Sequence, residues 1–390
     1  MCRLALTFLT VWGLLVAGWQ LAAQTPSHMP TLGVGGPVAG GGGGYTGPGD
    51  VVSGARAWYG LRAYNASQAT AGVKSVNVCN TINGVTAGSC VDWVVNSSGN
   101  LVQTNVNSIS CTTNFASVQA TFATSVMTVT SVNSGTIVLG QSIAGGNATN
   151  GTLANGISIS SFGTGTGGVG TYNLTASPGT FGNTLVYVYP CSIAIIYDQS
   201  GTNGCTSGPC DLKYFTSPPT LQSVANRPFF IPNCLGSLPC LGMNGATQNL
   251  LSLKTVSGDS PNGLQAALPN TVAGYANKAA TYTGNFSLAS CFSEFVLYDT
   301  GSNVVAIYAG SIQTAAASAG WHVLQGVLNG SSSSIKVDTT TTSTSSPGTN
   351  VPCSTGDQIA VGGGLTTQVT QWTEGGMWGG TTNGAFSSTQ

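Results

Sequence analysis

Apolar and polar residues alternate with a period near two through most of the chain, in short runs broken by Gly, Asn and Ser turns. This is the pattern of half-buried strands, whose successive side chains point to opposite faces. "SVNVC" and "CVDWVV" open the series. From residue 281 onward it continues through "NFSLASCFSEFVLY", "NVVAIYAG", "WHVLQGVLNG", "SSIKVD" and "DQIAVGGG", and closes with "TQWTEGGMWGG". No amphipathic helix of useful length is evident. Regular short strands with polar turns predict an all-β fold, a jelly-roll β-sandwich. Residues 112–187 differ in texture: "VMTVTSV", "GTIVLGQSI", "GISISSF" and "GTYNLT" alternate without one Cys, Asp, Glu, Lys or Arg. They predict a small β-module inserted between Cys111 and Cys191.

The first residues follow another logic. "MCRLALTFLTVWGLLVAGWQLAAQ" has an early Arg, a long apolar run and small residues at Ala22-Ala23, the order of a secretory signal peptide cut near Ala23. The alternative is a retained signal anchor, because the apolar run is nearly long enough to span a bilayer. "TLGVGGPVAGGGGGYTGPGD" reads as a Gly-rich linker, since a phosphate loop needs a preceding strand and a following Lys and helix. The expected organisation is a signal peptide over 1–23 and a linker over 24–50. A sandwich over 51–111 and 188–390 follows, with the module at 112–187 between its two parts.

Composition narrows the function. Charged residues are 5% of 390, with formal net charge −1, which excludes a nucleic-acid binder and its dense Lys/Arg footprint. A hydrophobic content of 41% fills a core, so the chain is not disordered. Of eleven cysteines, Cys2 leaves with the signal, and an even remainder in an exported chain suggests disulfides. Neighbour pairing, Cys79–Cys90, Cys205–Cys210 and Cys234–Cys240, is the simplest arrangement, although spacing alone does not fix connectivity. No C-x-x-C occurs and the histidines are His28 and His322, so neither a zinc site nor any cofactor is expected. A serine triad would have to use one of those two histidines, and no G-x-S-x-G lies near "YDQSG". His322 reads as a satisfied strand residue.

Several stretches, in order, resemble one family. "AWYGLRAYNAS", "YDQSG", "RPFFIPNC…LPCLGMNG", "NVVAIYAG" and "IAVGGG…WTEGGMWGG" resemble the catalytic domain of α-L-arabinofuranosidase B over roughly 50–111 and 188–380. The resemblance implies a concanavalin-like β-sandwich, export, and a polysaccharide partner such as arabinan or arabinoxylan. The module, notably "GTGTGGVGTYNLT", resembles Thr/Gly-rich β-modules of bacterial and phage surface proteins. The family's nucleophilic Glu has no counterpart, because the strand ending at Gly310 runs through "SIQTAAASAG" straight into "WHVLQGVLNG". The position of the family's acid holds Gly363 or Gly364. A glycosidase needs two carboxylates about 5–9.5 Å apart, and the glutamates are Glu294 and Glu374. Glu294 and Asp299 lie five apart, hence on opposite faces of a strand. Glu374 is the catalytic candidate that remains, its alternative being a strand-edge hydrogen-bonding role. Trp58, Trp372 and Trp378 are candidate aromatic platforms for sugar. Asp198, in the turn "YDQSG", reads as structural, accepting backbone N–H bonds of the next turn. Three functions are compatible with these residues: glycan binding, arabinofuranoside hydrolysis by other carboxylates, and a non-catalytic adhesive or structural role at the cell surface.

Overall fold

The computed structural model describes residues 44–379, except 83–89, 105, 107–108, 148–150, 155, 202–210, 214, 217–219, 222–226, 244–249, 253–268, 279–285, 292–294, 302–303, 349–358 and 362–369. The fold is all-β, a sandwich of antiparallel sheets, with two short helices, Pro48–Val51 and Ala66–Ala71, among the described residues. The second of these starts where Asn65 accepts the Gln68 N–H at 2.9 Å and stops at Gly72, φ 65°. These are a side-chain N-cap and a left-handed C-terminal glycine. No helix among the described residues is long and apolar enough to cross a membrane.

The strand Thr370–Gly379 is the hub. One edge pairs with Asn270–Lys278, which in turn pairs with Gly320–Leu328, followed by Ser334–Val337. Its other edge is shared: Thr370–Trp372 pair with Leu238–Met243, and Glu374–Trp378 pair with Ala55–Gly60. Beyond Leu238–Met243 the ladder continues through Phe229–Leu235, Cys191–Ile196, Lys74–Asn80 and Cys90–Val94. Val305, Ile307 and Ala315, from the Val304–Tyr308 and Ile312–Ala316 strands, share one core with Trp372, Leu324 and Ile335. That shared core makes the two layers a sandwich.

A second sheet of seven strands occupies residues 116–189. Its Ala116–Ala123 strand alternates buried and half-buried positions, and Val118, Phe122, Met127, Tyr172 and Val186 build a core separate from that of the sandwich. Three attachments hold it. The Cys111–Cys191 disulfide closes its base across 80 residues of sequence. Tyr189 stacks on Phe229 with ring centroids 4.6 Å apart, and Gln371 Nε2 donates to the Tyr187 hydroxyl at 3.1 Å. The pairs Cys79–Cys90 and Cys234–Cys240 are also bonded. Cys205, Cys210, His28, Glu294, Gly363, Gly364 and the segment 1–23 lie outside the described residues.

Candidate functional site

One extra residue decides which way Glu374 faces. On the Asn270–Lys278 strand the neighbours Tyr275 and Ala276 pair with Glu374 and Trp372, so Thr373 is supernumerary in the ladder. A bulge of this kind resets the in-out alternation. Trp372 and Ala276 therefore point into the sandwich core, while Glu374 shares with Tyr275 the opposite, outer face. The Thr373 hydroxyl donates to the Tyr275 carbonyl at 3.2 Å, and the Thr373 carbonyl accepts from Leu61 N–H at 3.2 Å. Across the other edge Glu374 pairs with Gly60. A Cβ at position 60 would lie 3.2 Å from the Glu374 Cβ, so glycine leaves the carboxyl its room.

The outer face is aromatic and almost dry. Trp58, Tyr64, Tyr275 and Val323 pack together there with Val52 and Ala55, and Trp321 lies partly exposed at the margin. The rings of Trp58 and Tyr64 are 5.5 Å apart, those of Tyr275 and Trp321 5.1 Å. Segment 45–52 covers this face. Tyr45 donates to the Ala63 carbonyl at 2.5 Å, Gly49 N–H to Tyr64 O at 2.7 Å, and the Tyr64 hydroxyl to Val52 O at 3.0 Å. The Arg62 guanidinium sits 5.1 Å from the Tyr45 ring centroid. Glu374 is 6% exposed and makes no hydrogen bond among the described residues. Burial pushes its carboxyl pKa up, and the charge of Arg62 opposes this. Tyr275 is pushed up to about 12 by burial, with the charges of Asp338 and Glu374 adding to it. A largely buried carboxyl is costly to ionise, so its place beside the charge of Arg62 and near Tyr45 and Tyr275 marks a functional candidate.

The "YDQSG" turn holds this face from behind. Asp198 Oδ1 accepts from Ser200 N–H at 2.9 Å and from Trp58 N–H at 3.0 Å. Gln199 is buried; its N–H donates to Trp58 O at 2.8 Å, its Nε2 donates to Gly60 O at 2.8 Å, and its Oε1 accepts from Tyr64 N–H at 3.2 Å. The turn fixes the backbone of Trp58, Gly60 and Tyr64 together. Asp198 thus serves two neighbouring backbones.

The structure corrects the exposure expected of the tryptophans. Trp58 and Trp372 are fully buried and on opposite faces, Trp372 in the sandwich core and Trp58 beneath segment 45–52. Neither offers a ring to solvent in this conformation. The Trp378 backbone pairs with Ala55 and Thr271. Glu374 and Trp58 come together on one face; Trp372 does not join them. Sequence reading missed Arg62, Tyr45, Tyr275 and Trp321, whose convergence depends on strand pairing far along the chain.

No family model matches the chain, and no curated protein sequence matches it. Among solved structures it is similar to a GH54 α-L-arabinofuranosidase soaked with a cyclic sulfate inhibitor, with TM-score 0.44 and 11% identity, covering 86% of this chain and 62% of that one. It is also similar to Trypanosoma rangeli sialidase, with TM-score 0.31 and 12% identity, covering 79% and 59%. The chain therefore spans about three fifths of the length of these two structures.

Proposed function

We propose that the chain is an exported, carbohydrate-directed protein that binds arabinose-containing plant polysaccharide at the margin of the outer face, where Arg62, Tyr45 and Trp321 are partly exposed beside Glu374. The observation that carries this reading is the largely buried Glu374 carboxyl, which makes no hydrogen bond among the described residues and feels the charge of Arg62. A carboxylate beside aromatic rings suits sugar, whose hydroxyls donate and whose C–H faces stack. The ordered resemblance to the arabinofuranosidase family supplies the sugar class. Three disulfides among the described residues suit an extracellular location, with residues 1–23 as the signal and 112–187 as an inserted domain. Binding is favoured over hydrolysis because neither reacting carboxylate of the resembling family has a counterpart in the sequence, whereas hydrolysis needs two.

Affinity electrophoresis through arabinan and arabinoxylan gels tests the proposal. The wild type should be retarded, and Glu374→Gln and Arg62→Gln should each lose about tenfold in affinity, equivalent to the ~1.4 kcal/mol of one hydrogen bond to a charged group. Unretarded wild type would overturn the binding reading, and turnover of p-nitrophenyl arabinofuranoside abolished by Glu374→Gln would replace binding with catalysis.

The same variant has a stability signature. A carboxyl whose folded pKa is raised favours the fold fully only below its unfolded value, and that contribution is lost as pH rises through the folded value. Glu374→Gln should therefore melt higher than wild type at pH 7, with the gap closing toward pH 4, as thermal denaturation across pH will read.

A further inference from the structure

At the end of the Gly320–Leu328 strand three side chains stand in series. Asp338 Oδ2 lies 2.8 Å from His322 Nδ1, and His322 Nε2 lies 3.4 Å from Ser318 Oγ. His322 is buried, Asp338 half-buried, and Ser318 exposed in the turn that precedes the strand. The order is hydroxyl, imidazole, carboxylate, with the serine in an exposed turn and the carboxylate on Nδ1. This is the arrangement by which a serine is activated as a nucleophile, recognised by geometry and roles rather than by sequence order. We propose that Ser318, His322 and Asp338 form a second site, an esterase centre that hydrolyses small acyl esters, independent of the Glu374 face and of the carbohydrate reading.

Two further features bear on such a centre. Asp338 lies in the two-residue turn between Ser334–Val337 and Thr340–Ser343 with φ 52°, the left-handed conformation that such hairpin turns require and Asp tolerates. It is fixed there by Val323, whose N–H donates to Asp338 Oδ1 at 2.9 Å and whose carbonyl accepts the Asp338 N–H at 2.8 Å. The carboxylate is thereby aimed at the imidazole. On the other side, His322 Nε2 also lies 3.0 Å from the Ser318 carbonyl, nearer than the hydroxyl; a carbonyl only accepts, so this contact holds a proton on Nε2 and must open before Nε2 takes the serine proton. The hydrogen bond to Asp338 leads in raising the His322 pKa; burial and the charge of Lys278 act the other way. Ala317 and Ala319 flank the serine, and a Cβ placed on Gly320 would meet no atom within 4 Å, so the immediate neighbours leave room for a small acyl group.

In the first half-reaction Ser318 Oγ bonds to the ester carbonyl carbon and its proton passes to His322 Nε2. The C–O bond to the alcohol then breaks and the departing oxygen takes that proton. Water next gives a proton to Nε2 and bonds to the acyl carbon. Ser318 Oγ leaves with the proton, and a carboxylic acid is released. No oxidant, metal or cofactor enters the balance. Imidazole must be neutral to act as base, so the rate should rise with pH through a limb above the ordinary histidine range, set by Asp338 and opposed by Lys278. Tyr275, also near Asp338, is pushed up to about 12 and stays neutral throughout that limb. Lys336, on the adjacent strand, is lowered by burial.

The full chain, incubated with a fluorophosphonate probe and digested, should carry the label on Ser318, and it should hydrolyse p-nitrophenyl acetate with that pH limb. Ser318→Ala, at an exposed turn where folding is not at stake, should abolish labelling and lower turnover about 10³-fold. Asp338→Asn should lower turnover and remove the raised pH limb, which a purely structural role would leave in place. Wild type that is folded by circular dichroism yet takes no label at Ser318 would overturn the proposal, as would Ser318→Ala with undiminished turnover.

Discussion

Replacing Cys111 and Cys191 together by alanine should lower the unfolding free energy by about 4 kcal/mol. A cross-link stabilises mainly by removing loop-closure entropy from the unfolded chain, and the effect grows with the logarithm of the loop. This bond spans 80 residues, whereas Cys234–Cys240 spans six, for which the same relation gives about 2 kcal/mol. Both members of the long bridge are buried, and alanine avoids the unpaired hydroxyl that serine would bring. Urea denaturation of the two double variants should rank them in that order. Equal losses would mean that the aromatic contacts of Tyr187 and Tyr189 with Phe229, rather than the bridge, hold the seven-stranded sheet to the sandwich.

Gln199→Ala should cost about 2–4 kcal/mol, a large effect for one polar side chain. The wild-type amide is spent on two backbone groups, the Gly60 carbonyl and the Tyr64 N–H. The Gly60 carbonyl keeps a second donor in the Ser75 hydroxyl, 2.7 Å away. The buried Tyr64 N–H loses its bond to Gln199, and each hydrogen bond the amide gives up costs about 1 kcal/mol. The cavity left by the side chain adds to this. Gln199→Glu tests the argument from the other side: it keeps an acceptor for Tyr64 but cannot donate to Gly60, so its loss should be smaller. The urea midpoint should fall with the slope unchanged. Polysaccharide retardation should fall too, because the amide locates the backbone on either side of Glu374's neighbour Gly60.

The fold class was legible because alternation with a period of two survives in nearly every strand, and the "YDQSG" turn because turn chemistry is local. Asp198 meets Ser200 within its own turn, whereas its bond to Trp58 and those of Gln199 to Gly60 and Tyr64 reach far along the chain and were not legible. The orientation of Glu374 was not legible. Counting by twos from the core residue Trp372 puts position 374 in the core, and only pairing with Tyr275 and Ala276, about a hundred residues earlier, reveals that Thr373 is extra. The burial of Trp58 was hidden for a related reason. Its cover, residues 45–52, begins within a stretch whose glycines read as linker, yet Gly47 and Gly49 are small because the Tyr64 backbone and ring lie against them. Ser318 and Asp338 carried no motif. They meet His322 only because a strand turn and a hairpin turn close on the same strand end.

The seven-stranded sheet carries a consequence for how the protein meets its surroundings. With no acid, amine, guanidine or imidazole between residues 112 and 187, its stability has almost nothing to titrate below the tyrosine range and little for ions to screen. Acidification or brine will act on the sandwich, where Glu374, His322 and the Lys74–Asp92 ion pair reside, and leave the other sheet as a fixed mount. Loss of structure under such stress should begin on the ionisable side of the Cys111–Cys191 bridge.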